Sequence, residues 1–308
     1  MPEPTNDNRD GEQSRMEHEP RTALPGRNDS LSGAWSSNFA LRIVAGVPAL
    51  VVVLLLIAVA PLRVLSLIVA AAGVYGTYEY ARLVGAGDGT RLPMWPMLVA
   101  SVAIGLGGVM GTPATLNAGL LLGGALLAWS LWFAASTTGR DALREMGVAL
   151  AGLLLVPWLL NHLGLLVQVP GGRGFLAFLI VAVSLNDTLA YLVGTFFGNW
   201  PLMPSVSPHK TVEGAVGGVA GGALAGVLAR FWMGGDPAPF SLLALILLGG
   251  LLAMAGQAGD LLESKLKRLN HANESGRFLP GHGGLLDRVD AYLVTAPLSF
   301  YLLRYLAG

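Results

Sequence analysis

The run LLALILLGGLLAMA, residues 242–255, decides the fold class, because it carries no charge and no strongly hydrogen-bonding side chain. With its apolar flanks it approaches the roughly 20 residues that cross the hydrocarbon core of a bilayer. Ala49 to Pro61 and Leu92 to Thr138 are equally free of charge. Only 12% of the 308 residues are charged and 53% are hydrophobic, against about 25% charged in an average soluble domain. A chain so poor in charge cannot cover the surface of a soluble globule of this size. The expected fold class is therefore all-α: a polytopic integral membrane protein.

Outward from that run, Pro and Gly clusters divide the chain into candidate spans at roughly 42–60, 64–85, 93–111, 115–136, 146–168, 173–197, 211–233, 240–262 and 288–307. About nine transmembrane helices are expected. Residues 1–38 form a polar N-terminal segment, mixing Glu, Asp, Arg, Asn, Ser and Pro with hardly any large apolar side chain. Such a composition cannot offset the entropy of ordering, so a disordered tail is expected there. Residues 39–308 make up the membrane domain.

Basic residues set the orientation. With the tail in the cytoplasm and nine spans, 15 Lys and Arg fall on the cytoplasmic side. The far side receives only Arg63, Arg173, Arg230 and Arg304. The bias predicts a multi-pass protein of the cell membrane with its tail and polar loops cytoplasmic.

Net charge is zero and Cys is absent. The first gives no reason to expect a nucleic-acid partner; the second excludes disulfides, thiolate metal sites and cysteine nucleophiles. Gly supplies 42 residues, about twice its usual share of ~7%. Gly214, Gly218, Gly222 and Gly226 recur every four positions, with Gly217 and Gly221 beside them. That strip predicts close helix packing.

Acids are costly within spans, so those present need a reason. Glu79, Asp187, Glu213 and Asp260 stand at or within spans, and a dense polar block runs from Asp260 to Asp290. If the helix of 240–262 runs on, Asp260, Ser264, Lys267 and Arg268 fall at i, i+4, i+7 and i+8, on one face. A carboxylate, a hydroxyl and two cations on one stripe suit a metal ion together with a polyphosphate. The glycines of Pro280-Gly281-His282-Gly283-Gly284 permit close backbone approach and expose N–H donors. Asp287 and Asp290 then return two hard oxygen ligands of the kind Mg²⁺ prefers beside substrate phosphates. His162, on an apolar helix, is expected to be hydrogen-bonded inside the bundle.

These blocks resemble a known family. Gly259-Asp260, Ser264-Lys265-Leu266-Lys267-Arg268 and Leu279-Pro280-Gly281-His282-Gly283-Gly284-Leu285-Leu286-Asp287-Arg288-Val289-Asp290 are similar to the signature of phosphatidate cytidylyltransferases (CDP-diacylglycerol synthases). Asn186-Asp187-Thr188-Leu189-Ala190-Tyr191 and the run from Ser205 to Gly214 resemble two further blocks of that family, in the same order. The catalytic blocks are thus expected at 186–214 and 256–290.

The resemblance implies cytidylyl transfer from CTP to phosphatidate, giving CDP-diacylglycerol and pyrophosphate for phospholipid synthesis, with Mg²⁺ and room for a second cation. It implies that Asp260 and Asp287 hold the metal, with Asp187 and Asp290 nearby. Lys210, Lys267, Arg268 and Arg288 would grip phosphates, while Ser264, His282, Gly283 and Gly284 complete the pocket. Asn186, Ser207, Thr211 and Glu213 fall in the substrate-binding blocks. The implied partners are CTP, phosphatidate or a related lipid phosphate, membrane lipids and, in a homodimer, a second copy of the chain.

One departure stands out: Asn273-Glu274 lies where the family pattern has Lys-Asp. Loss of that cation is expected to weaken CTP binding unless another cation takes its place. The competing readings are a cytidylyltransferase for a different lipid phosphate, a family member with weakened catalysis, and a membrane transporter. The last fits poorly, since the acids cluster at one face and no internal repeat is visible.

Overall fold

The computed structural model describes residues 47–87, 90–133, 139–233, 240–276, 278 and 283–306. The predicted N-terminal tail lies outside these residues, as does His282. Two compact units divide at Leu54 and Leu55. Of the first, the described part is an apolar helical stretch from Val47.

Among the described residues the elements are helical except for one hairpin. In chain order they are α1 (Val47–Val59), α2 (Leu62–Gly87), α3 (Met94–Val109), α4 (Pro113–Phe133) and α5 (Gly139–Leu153). A π-helical turn, Leu154–Trp158, joins α5 to α6 (His162–Leu166). Then follow α7 (Gly172–Phe197), β1 (Pro201–Met203), β2 (Ser207–Thr211), α8 (Val212–Met233), α9 (Leu242–Leu269) and α10 (Leu286–Leu306).

Each predicted span overlaps a helix among the described residues, but the elements differ from the expectation in three ways. Among the described residues five stretches are long and apolar enough to cross a membrane: α2, the α5–α6 stretch Gly139–Leu166, α7, α8 and α9. α1 and α3 are shorter apolar helices. The expected span at 146–168 begins earlier, at Gly139, and contains the widened turn around Pro157. Proline has no N–H for the regular ladder and its ring crowds the preceding turn, and a π turn absorbs both defects. Finally, the Pro-rich break between α7 and α8 is an antiparallel hairpin with Met203 opposite Ser207 and Pro201 opposite Thr211. The fold is all-α with this one small exception.

The glycine strip performs as its spacing predicts. α8 packs between α7 and α9. A side chain at Gly217 would meet Val193 of α7, and one at Gly221 would meet the Leu185 backbone. Gly222 and Gly226 lie directly against the backbone of Gly249 and Leu245 on α9. Small residues thus bring three helices together at backbone contact, where van der Waals packing drives association in place of the hydrophobic effect.

α9 has 28 residues, which makes it about 42 Å long at 1.5 Å per residue. A bilayer core of about 30 Å takes up some 20 of them. Its final turns, from about Asp260 onward, therefore belong to the polar end of the bundle. Ser241 caps the opposite end, its Oγ accepting the Ala244 N–H at 3.2 Å.

Packing fixes the remaining polar groups of the bundle. His162 is buried, its Nδ1 bonded to Trp158 O at 2.9 Å and its ring against Trp158 and Phe300. The expectation of a satisfied bundle histidine holds. Arg173, near the start of α7, donates to the carbonyls of Ile57, Ala58 and Ala60, which satisfies the open C-terminal end of α1.

Candidate active site

Four elements converge at the polar end: the C-terminal half of α7, β2, the last turns of α9 and the first turns of α10. Backbone proximity does the assembling. A side chain at Gly259 of α9 would strike the Asp290 carbonyl of α10, so the two helices touch where both carry an acid. The charges of Asp187, Asp260 and Asp290 are close enough to act on one another, and Lys210 faces the same group.

Two lysine–carboxylate pairs organise this end. Lys210, brought in by β2, binds Asp260 through its Nζ, with both side chains about a third exposed. Lys267 lies 2.7 Å from Asp287 Oδ1 and 2.7 Å from Glu263 Oε2. The hairpin is thus the arm that delivers Lys210 to α9. Thr211 caps the following helix, its Oγ1 accepting the Gly214 N–H at 3.1 Å.

Asp287 is the most heavily used carboxylate. Its Oδ1 takes the Lys267 ammonium, while its Oδ2 accepts from Ser275 N and Ser275 Oγ at 2.9 Å and from Gly284 N at 2.8 Å. Burial by itself would raise its pKa. The Lys267 ammonium, the neighbouring Glu263 carboxyl and the Gly284 and Ser275 N–H groups outweigh burial and hold Asp287 well below the ordinary carboxylate range. The Ser275 Oγ returns the bond by accepting the Asp287 N–H at 3.2 Å. Gly283 allows the chain to turn here. Its φ of +80° suits glycine, and any Cβ would come within 3.0 Å of Asp287 Oδ2.

The other residues singled out from sequence fall in varied places. Asn186 is buried, donating to Asp187 Oδ1 at 2.9 Å and accepting from Gln257 Nε2 at 2.7 Å. It holds Asp187 toward the cluster, and Asp187 itself is exposed. Asp290 accepts the Ala291 N–H at 2.7 Å through one oxygen. Ser264 and Ser207 are half-buried, and Arg288 is exposed on the first turn of α10. Arg268 donates to Val206 O at 3.3 Å and to Asn273 Oδ1 at 3.0 Å. Glu213 turns toward the backbone N–H of Trp200, 3.3 Å from each carboxylate oxygen. It thereby ties the start of α8 to the residue before the hairpin.

Three participants escaped the sequence reading, one of them Ser275, which only the loop geometry brings to Asp287. Glu263 is almost wholly buried against Lys267; its spacing of four residues before a lysine on one helix face was the available signal. Gln257, which orients Asn186, carried no signal because only the α7–α9 packing brings them together.

The donor set suits a hard divalent cation. Among the described residues no closed cage of three acid or imidazole groups exists, but Mg²⁺ held beside substrate phosphates needs only one or two carboxylates and keeps its waters. Asp260 and Asp287 each carry a lysine ammonium in this structure.

Comparison with known proteins gives a consistent answer. The model of the cytidylyltransferase family matches residues 40–306. The Uncharacterized protein YnbB of Escherichia coli (strain K12) is 37% identical over 159 residues, covering 50% of this chain and 52% of that protein. The phosphatidate cytidylyltransferase of Bacillus subtilis (strain 168) is 40% identical over 132 residues, 43% of this chain and 48% of that protein. That of Staphylococcus saprophyticus is also 40% identical over 132 residues, covering 43% and 50%. The chain spans about half the length of the curated relatives it matches.

Proposed function

Because the chain belongs to the cytidylyltransferase family, we propose that it transfers the cytidylyl group of CTP to phosphatidate, releasing pyrophosphate. The observation that carries this reading is the meeting of two lysine–carboxylate pairs, Lys210–Asp260 and Lys267–Asp287, at one end of the helical bundle.

The chemistry asks for little else. An oxygen of the lipid phosphate forms a bond to the α-phosphorus of CTP as the bond from that phosphorus to the bridging oxygen breaks. The electron pair leaves with pyrophosphate. A phosphate monoester has its second pKa near ~6, so the attacking oxygen already carries charge at neutral pH and no general base is required. Catalysis reduces to positioning and to neutralising the negative charge of the two substrates.

In this reading Asp260 and Asp287 hold Mg²⁺, with Asp187 and Asp290 beside them. Bound there, the ion would neutralise phosphate charge and polarise the α-phosphoryl group. Lys210 and Lys267 leave their carboxylates for the phosphates of the nucleotide, and Arg268 and Arg288 add charge at the rim. The half-buried Ser264 and the Gly283–Gly284 backbone shape the pocket, together with His282. The acyl chains remain in the bilayer while the lipid phosphate reaches the polar end. The excess of basic residues in the corresponding loops supports nine spans with this end in the cytoplasm of a multi-pass cell-membrane protein.

The direct test is to incubate purified protein with CTP labelled in the cytidine, Mg²⁺ and phosphatidate, and to extract the lipids. A labelled CDP-diacylglycerol with stoichiometric pyrophosphate is the expected result. Protein that binds CTP but labels only a different lipid phosphate would move the acceptor assignment to that lipid. Absence of any labelled lipid across both acceptor classes would overturn the reading.

A further inference from the structure

Glu79 lies on α2, far in sequence from every block discussed above, yet it reaches the loop that carries Asp287. Its side chain is 2% exposed. Its Oε2 accepts the Leu286 N–H at 2.8 Å, at the first residue of α10 and across 207 positions of sequence. Its Oε1 has no hydrogen-bond partner among the described residues and rests against the loop itself. A Cβ at Gly284 would come within 2.8 Å of that oxygen, and one at Gly276 would collide with it.

α2 supports the same loop at two further points. The Tyr75 ring meets Phe278 edge-on with centroids 5.1 Å apart. Tyr75 and Glu79 are one turn apart on the same face of the helix. At the end of α2, Gly87 has no side chain where one would come within 2.7 Å of Asn270. Asn270, Gly276, Phe278 and the 284–286 segment are thus seated along α2.

We propose that Glu79 is a positioning residue for the catalytic loop: it fixes the start of α10 and the Gly276 and Gly284 backbone, and through them the orientation of Asp287. Asp287 holds the loop from the other side, through Ser275 and Gly284. The loop is clamped between two carboxylates, Glu79 inside the bundle and Asp287 beside Lys267. A buried carboxylate at the N-terminus of a 21-residue helix also faces the positive end of the helix dipole. The assignment of a catalytic consequence rests on the cytidylyltransferase reading of Asp287; the assignment of loop position does not.

The experiment uses the full chain in detergent, as wild type, Glu79→Ala and Glu79→Gln. Hydrogen exchange is followed by mass spectrometry in peptides covering 283–290, with peptides of α3 as the control for folding. Leaving the buried Leu286 N–H without an acceptor should speed exchange in 283–290 by about tenfold in Glu79→Ala, with α3 unchanged. Glu79→Gln keeps an oxygen for that N–H and should restore slow exchange. In the lipid-labelling assay Glu79→Ala should lower kcat and raise the Mg²⁺ concentration needed for half-maximal rate, leaving KM for the lipid unchanged, and Glu79→Gln should recover most of the loss. Unchanged exchange in 283–290, or a Glu79→Gln protein as impaired as Glu79→Ala, would overturn the proposal. Because exchange is read without substrate, this outcome is independent of which lipid phosphate is the acceptor.

Discussion

Replacing Asp287 by Asn and Asp260 by Asn should stop turnover in both cases, yet only the first should destabilise the protein. The difference follows from what each carboxylate holds. Asp287, with its side chain 15% exposed, receives the Lys267 ammonium on one oxygen and three donors on the other. An amide has a single oxygen. Turned toward Ser275 and Gly284 it presents its NH₂ to the Lys267 ammonium, and turned the other way it leaves two backbone N–H groups facing an NH₂. Removing one partner of a buried, hydrogen-bonded ion pair typically costs about 3–5 kcal/mol. Asp260 pairs with Lys210 at 36% and 29% exposure, where ion pairs are worth about 0–1 kcal/mol. Thermal unfolding of the detergent-solubilised proteins, followed by tryptophan fluorescence, should show a midpoint several degrees lower for Asp287→Asn and nearly unchanged for Asp260→Asn. The pH dependence carries a sign as well. Asp287 has a native pKa below its unfolded value of about 3.9, so its stabilisation is fully present above that value. It fades as pH falls through the window between the unfolded and the lowered native pKa. That acid-side loss should be absent from Asp287→Asn. Equal midpoints for the two variants would refute the four-donor account, and near-normal Mg²⁺-dependent turnover in both would remove these residues from the site.

Three further outcomes are expected. Asn273→Lys should fail to raise kcat/KM for CTP, because Arg268 already reaches this position and a second cation beside it costs about 1 kcal/mol at an exposed site; a tenfold gain would show that the nucleotide lacks a cation there. Gly222→Val should prevent stable assembly of α8 on α9, read as loss of a cooperative unfolding transition, since its side chain would meet the Gly249 carbonyl; a normal transition would mean the seam tolerates separation. Single cysteines at Ser30, the exposed Glu274 and Gly308, labelled with an impermeant maleimide from each side, should place the first two together and Gly308 opposite; Glu274 and Gly308 on one side would reject nine spans.

The helical class, the positions of the helices and the small-residue packing of α8 were legible in the sequence, because each depends on a local property. An uncharged run such as 242–255 must satisfy its backbone internally in lipid, and helices do so within one segment. Glycines four apart share a face whatever lies opposite. The candidate acids were legible too, since charge at a span end is costly enough to need a reason. Which groups those acids meet was not. Lys267 shares a stripe with Asp260 on α9, but Lys210 arrives at Asp260 from a hairpin that the Pro-rich composition of 201–208 did not announce, while Lys267 pairs with Asp287 instead. Glu79 stood out as an acid within a span, yet its partner lies 207 residues away. Pairings of this kind depend on backbone approach between helices, as at Gly259 with Asp290 and Gly284 with Glu79. That approach is set by packing over the whole bundle, and no local pattern encodes it.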